Sequence, residues 1–143
     1  MSIWDAISSA MASHEEATPQ RAVLVVEDEI LIRSAAAEFL RGAGYKVIEA
    51  ATAVEAVAVF ASRVQIDLVF SDINMPGSTD GVGLARWVTD HHPGVHVILT
   101  SAISHARRAG EVRAAGFLPK PYRLAEVARR IGSLLSDPPR EDA

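Results

Sequence analysis

The sequence predicts a doubly wound α/β domain built on five parallel strands, and three observations carry that prediction. Short apolar runs at 22–26, 46–50, 68–71, 95–100 and 117–118 alternate with longer stretches whose apolar residues recur at helical spacing. The longer runs are rich in Val, Leu and Ile without polar alternation, as expected of strands covered on both faces. Four of the five end in acidic or polar residues, which puts chemistry along one sheet edge, where ligands bind in open parallel folds.

Ahead of the first strand, Ile3, Trp4, Ile7 and Met11 recur at spacings near four, the stripe of an N-terminal accessory helix that Pro19 closes. An exposed Trp and Ile pair is costly, so the stripe is expected to dock, in cis or on a second copy. The first strand, 22–26, is bounded by Glu27-Asp28-Glu29. A helix from about Glu29 to Arg41 then carries Ile32, Ala36, Phe39 and Leu40 at helical spacing, with Gly42 and Gly44 beyond its end. The second strand is 46–50, and Thr52 caps a helix expected to turn Val54, Val57, Ala58 and Ala61 inward.

Residues 68–71 form the third strand, Asp72 stands at its carboxyl end, and Met75-Pro76-Gly77 breaks the chain straight after it. Asp80 caps a helix with Leu84, Trp87 and Val88 on one face, ending before His91-His92-Pro93-Gly94. After the fourth strand at 95–100, the stretch from Ser104 to Ala115 has Val112 as its main large apolar residue and Gly110 mid-segment. Its helix is expected to be short or marginal. Phe117-Leu118 is expected as a very short fifth strand. The last helix is the clearest, with Leu124, Val127, Ala128, Ile131, Leu134 and Leu135 at helical spacing. The expected organisation is an extension at 1–20, a domain at 21–136 and a flexible tail at 137–143, with no output domain.

Composition narrows the function. A chain of 143 residues with 49% hydrophobic residues can bury roughly two thirds of its unfolded surface, enough for one core. Lys and Arg number 14 against 18 Asp and Glu, so the basic footprint of a nucleic-acid binder is missing. No cysteine means no disulfide and no thiolate metal site, as in a reducing compartment. No apolar run approaches the ~20 residues of a membrane span, and Asp5 stands where a signal peptide would carry positive charge. A cytoplasmic protein with no membrane insertion is the expectation.

The strand ends deliver Glu27 and Asp28, Asp72, Ser101 and Lys120 to one edge. Carboxylates ~4 Å apart at an effective dielectric of ~20 repel by about 4 kcal/mol per pair, so the cluster needs a cation or a raised pKa. Mg²⁺, which prefers one or two carboxylates plus water and phosphate oxygens, answers this. Lys120 then serves as a point charge for a phosphate oxygen and Ser101 as a hydroxyl donor to another, leaving Asp72 free to attack phosphorus.

With these residues in place the chain resembles the receiver domain of two-component response regulators, over about Arg21 to Leu135. The motifs are Val-Val-Glu-Asp-Glu at 25–29, Ser-Asp-Ile-Asn-Met-Pro-Gly at 71–77, Thr-Ser-Ala at 100–102 and Lys-Pro at 120–121. The resemblance implies a flavodoxin-like strand order 2-1-3-4-5, of the stand-alone, single-domain type. It implies Asp72 as phosphoacceptor, with Glu27, Asp28 and Asp72 holding Mg²⁺ together with the Asn74 backbone carbonyl. Ser101 becomes the hydroxyl switch, Phe117 the aromatic switch, Lys120 the phosphate-sensing cation, and Lys120–Pro121 a cis bond. A sensor histidine kinase or a histidine phosphotransfer protein is the implied partner, with a downstream protein or a homodimer beyond it.

Three departures stand out. Phe117 occupies a position where the family often has Tyr, Pro119 removes a backbone donor from the fifth strand, and the Ser101 to Lys120 interval is short. Thr100 stays open as an alternative switch hydroxyl. His14, His91, His92, His96 and His105 share no metal spacing and are read as surface or packing residues, and Trp87 as core. Arg107, Arg108, Arg113, Arg123, Arg129 and Arg130 cluster near the last two helices and would suit an acidic partner. Two other functions compete. An Asp-nucleophile phosphohydrolase like the haloacid dehalogenases wants a second Asp where Asn74 stands, and a degenerate receiver used only for binding would not need the intact acidic set.

Overall fold

A computed structural model describes residues 2–7, 20–112 and 115–136. Five parallel strands form one sheet in the order β2-β1-β3-β4-β5. They are β1 (Ala22–Val26), β2 (Lys46–Ala50), β3 (Leu68–Asp72), β4 (His96–Ala102) and β5 (Ala115–Lys120). Between and after them lie α1 (Ile30–Gly42), α2 (Ala53–Ala61), α3 (Gly81–His91), a 3-10 turn (Ile103–His105), α4 (Ala106–Ala109) and α5 (Leu124–Leu135). This is the flavodoxin-like order.

The period-two alternation of strand side chains divides the interior into two layers. Val23, Val25, Phe70 and Ile98 pack against Ala36, Ala37 and Leu40 of α1 and Val127, Ile131 and Leu135 of α5. Leu24, Val26, Val69 and Leu99 face the other way, toward Ala56 and Phe60 of α2, Ala85 and Val88 of α3, and Ala109 of α4. All five residues of β1 and of β3 are buried, which is why these runs read as continuously apolar.

Several sequence expectations need correction. In α1 the inward face is Ala36, Ala37 and Leu40, while Phe39 is exposed. At ~100° per residue Phe39 falls roughly a quarter turn outside that face. In α2 the buried residues are Ala53, Ala56 and Phe60; Val54, Ala58 and Ala61 point outward and Val57 is half-buried. That helix is apolar almost all round, so its pattern marks no inner stripe, and the bulk of Phe60 decides which side is buried. Leu134 of α5 is likewise exposed, Leu124 and Ala128 are half-buried, and Val127, Ile131 and Leu135 form the seam.

β5 runs six residues instead of the expected two, because pairing with β4 recruits Ala115 and Gly116 at one end and Pro119 and Lys120 at the other. Pro119 is tolerated because β5 is an edge strand. The fourth helix is short, as its composition predicts, with four residues after the 3-10 turn. At the amino end, residues 3–7 are helical, and Ile3 (73%) and Trp4 (72%) are exposed instead of docked on the domain. Met11, Arg113 and the tail at 137–143 lie outside the described residues. No helix among the described residues is long and apolar enough to cross a membrane.

Candidate functional site

Parallel pairing of β1, β3, β4 and β5 brings their carboxyl ends to one edge of the sheet. Val26 lies beside Ser71, Asp72 beside Thr100, and Ala102 beside Lys120. Glu27 and Asp28 follow β1 directly and close the group. One oxygen from each of Glu27, Asp28 and Asp72 lies within 4.8 Å of the others. Glu27 and Asp72 are buried and Asp28 is exposed, so the cluster opens to solvent on the Asp28 side.

Asp72 is held from two directions. Its Oδ1 accepts the Asn74 backbone N–H at 3.3 Å, and its Oδ2 accepts from Lys120 Nζ at 3.3 Å. Lys120 also lies 3.6 Å from Glu27 Oε1, so one ammonium serves two carboxylates. Burial pushes the Lys120 ammonium pKa down, but Asp72 and Glu27 together outweigh it and the value sits above the ordinary lysine range. Glu27 moves the same way for the opposite reason. Burial raises its carboxyl, Asp72 adds to the rise, and the Glu29 N–H at 3.1 Å and Lys120 only partly offset it. The Arg33 guanidinium donates to the Glu27 carbonyl at 2.9 Å, anchoring α1 to the end of β1.

The backbone behind Asp72 is close-packed. Gly81 begins α3, and a Cβ there would lie 2.1 Å from the Asp72 carbonyl oxygen, so any other residue forces the backbone to shift. Its N–H donates to the Ile73 carbonyl at 2.8 Å. Asp80 caps the helix by accepting the Gly83 N–H at 3.0 Å, and its other oxygen pairs with Arg108 of α4. Partial burial raises the Asp80 carboxyl, yet the Gly83 N–H and the Arg108 guanidinium bring it below the usual carboxylate range.

Ser101 is buried and does not stand free. Its Oγ accepts from Asn74 Nδ2 at 3.1 Å and lies 2.8 Å from His105 Nδ1, while Asn74 Nδ2 is 3.3 Å from the same ring nitrogen. Thr100, the alternative hydroxyl, is buried with no partner for its Oγ1. Phe117 is half-buried against the α2–α3 layer, and the Lys120–Pro121 bond is cis.

The structure thus brings together Glu27, Asp28, Asp72, Asn74 and Lys120, and places Ser101 in a polar trio with Asn74 and His105. His105 was missed as a site residue. Its signal was its position four residues after Ser101, which means something only once β4 is known to end at Ala102 and turn in 3-10 geometry. Tyr122 was also missed. It packs edge-on against Phe70 at 5.5 Å, and burial pushes its phenol above the ordinary value. Beside Lys120 an apolar groove of about 620 Å³ is lined by Leu31, Ile32, Ala35, Tyr122 and Leu124, with Leu31 largely exposed. Of the other histidines, His91 stacks on Trp87 and His92 on Phe60, which are packing roles.

A family model described as the response regulator receiver domain matches residues 23–132. The chain is 36% identical over 117 residues to the sensor kinase CckA of Brucella abortus (strain 2308), covering 79% of this chain and 12% of that protein. It is 35% identical over 120 residues to the transcriptional regulatory protein PdtaR of Mycobacterium tuberculosis (strain CDC 1551 / Oshkosh), covering 82% of this chain and 57% of that one. The chain therefore spans about half or less of these relatives. Among solved structures, the receiver domain of NtrX from Brucella abortus superposes with a TM-score of 0.74 at 29% identity, covering 81% of this chain and 99% of that one. The chemotaxis protein CheY4 of Vibrio cholerae gives 0.72 at 27%, covering 82% and 100%.

Proposed function

The chain belongs to the response regulator receiver domain family, and from that premise we propose that it is a phosphorylation-switched signalling module whose phosphoacceptor is Asp72. The observation that carries this reading is the convergence of three carboxylates with the Lys120 ammonium 3.3 Å from Asp72 at the carboxyl edge of the sheet. Residues 21–136 are the acting unit.

The donor set fits a hard divalent cation. It is all oxygen, opens to solvent through Asp28, and includes a buried Glu27 whose pKa is raised by burial and by the Asp72 charge. Glu27, Asp28 and Asp72, with the Asn74 carbonyl, would hold Mg²⁺. When bound, that ion supplies positive charge to the phosphoryl oxygens. The chain's own residues do the rest. One Asp72 oxygen forms a bond to phosphorus as the P–N bond of a partner's phosphohistidine breaks, and the departing imidazole keeps the electron pair. Lys120, already at Asp72, moves its charge onto a phosphoryl oxygen. Ser101 donates a hydrogen bond to another, and Phe117 follows Ser101 as the aromatic switch.

The partner is a sensor histidine kinase or histidine phosphotransfer protein, a reading supported by likeness to a segment of a protein named as a sensor kinase. The apolar groove beside Lys120 is where such a partner would sit, because it adjoins the ammonium that meets Asp72 and leaves Leu31 exposed for contact. The chain acts by protein contact or by draining phosphoryl groups, and assists its own phosphorylation and dephosphorylation without turning over a substrate.

Incubation with Mg²⁺ and acetyl phosphate or a phosphorylated kinase, followed by intact mass, tests this. An adduct of one phosphoryl, lost in Asp72→Asn, is the expected result. Steady phosphate release with no adduct indicates a phosphohydrolase, and no change indicates a receiver that only binds.

A further inference from the structure

His105 has no role in the chemistry described above, yet it is bonded to the residue whose hydroxyl that chemistry needs. Asn74 Nδ2 lies 3.1 Å from Ser101 Oγ and 3.3 Å from His105 Nδ1, and an amide nitrogen only donates. The 2.8 Å contact between Ser101 Oγ and His105 Nδ1 is a hydrogen bond in either ring tautomer: the serine proton serves it when the ring proton is on Nε2, and the ring proton serves it when that proton is on Nδ1. An unprotonated Nδ1 has one lone pair, so the shorter Ser101 contact claims it and the Asn74 amide is served by its bond to Ser101 Oγ. A serine hydroxyl has one proton, so with the ring proton on Nε2 Ser101 has none left for a phosphoryl oxygen, and in either tautomer its oxygen is tied to His105.

We propose that His105 is a positioning residue for phosphoryl acceptance, holding the Ser101 hydroxyl engaged in the resting state so that phosphorylation must exchange the Ser101–His105 bond for a Ser101–phosphoryl bond. This rests on the reading of Asp72 as phosphoacceptor. His105 closes the 3-10 turn and stands immediately before α4, a helix of only four residues. Releasing its side chain therefore unpins the junction through which the phosphoryl site meets α4. A two-state element biased at one end in this way is what population shift requires.

The test uses the full chain and two titrations. Calorimetry follows Mg²⁺ alone, and ¹⁹F NMR follows beryllofluoride, a phosphoryl mimic, in saturating Mg²⁺. Losing one resting-state hydrogen bond that the bound state lacks tightens beryllofluoride binding by about fivefold in His105→Ala, with Mg²⁺ affinity unchanged. His105→Asn, whose side-chain oxygen falls near the place of Nδ1, returns the affinity toward wild type. In a Ser101→Ala background the His105 substitution changes nothing, since there is no hydroxyl to hold. His105→Leu keeps the bulk, loses Nδ1 and carries the same expectation should alanine disrupt the turn.

Equal or weaker beryllofluoride binding by folded His105→Ala or His105→Leu overturns the inference while leaving the role of Asp72 standing. So does an equal gain in the Ser101→Ala background. A wild-type chain that takes up no beryllofluoride overturns the reading of Asp72 and this inference together.

Discussion

Single side chains set the charge balance at the sheet edge. Lys120 is the ammonium that lies between Glu27 and Asp72, and the third carboxylate, Asp28, faces solvent. Asp72→Asn keeps the shape and removes one negative charge, so we expect loss of phosphoryl labelling with the fold intact. Labelling at the wild-type level would move the acceptor elsewhere. Asp28→Ala removes a carboxylate that repels Glu27 and Asp72 and that a bound cation would otherwise offset. Its melting temperature in EDTA should rise by about 2 °C, and this gain should vanish in Mg²⁺, where the variant binds the ion more weakly. A sharp fall in EDTA would show that Asp28 stabilises the metal-free site instead.

At the scale of elements, the contrast lies between α3, built tightly onto β3, and α4, tied down mainly from outside. Gly81→Ala forces a Cβ onto the Asp72 carbonyl oxygen, and separating them must shift α3 or the end of β3. We expect destabilisation of about 3 kcal/mol in urea unfolding, more than an ordinary helix-start substitution. Four-residue α4 buries Ala109, with Val112 just beyond it, and is held by Arg108 to Asp80 and by Glu111 to Arg86. Amides from His105 to Val112 should exchange faster than those of Val127 to Leu135 in the unliganded protein, and equal protection would contradict this.

The Asp80–Arg108 tie also predicts a pH effect. Because the folded Asp80 pKa is depressed, its contribution is present above the ordinary value of 3.8 and is lost as pH falls through the lower folded value. The melting temperature gap between wild type and Arg108→Ala should therefore close as pH is lowered from 6 through that window. A gap constant across it would mean that Arg108 acts by packing alone.

For the whole molecule, the two tryptophans report opposite environments. Trp4 is 72% exposed on the helical turn at 3–7, while Trp87 lies edge-on to Phe60 at 5.6 Å and stacks on His91. Acrylamide should quench one red-shifted component, and Trp4→Phe should remove that component and leave the shielded one. A blue-shifted, poorly quenched Trp4 would place the stripe of Ile3, Trp4 and Ile7 against a surface, in a second copy for instance, which sedimentation would then detect.

How far the sequence alone reached follows from the range of the forces involved. Strand positions, the Thr52 and Asp80 caps, the thinness of the fourth helix and the acidic ends of β1 and β3 were legible, because each depends on neighbours within a few positions. The resemblance carried by four short motifs added the strand order and the cis bond at Lys120–Pro121. Only the folded chain decided which side of α2 is buried, since a helix apolar all round has no stripe until the bulk of Phe60 meets the sheet. It also decided the length of β5, whose Gly116 and Pro119 have no strand preference of their own and are recruited by pairing with β4. The His105 contact belongs to the same class: it arises where a 3-10 turn folds a side chain back onto the strand it has just left, meeting an asparagine 31 positions away that β3 delivers to the same edge.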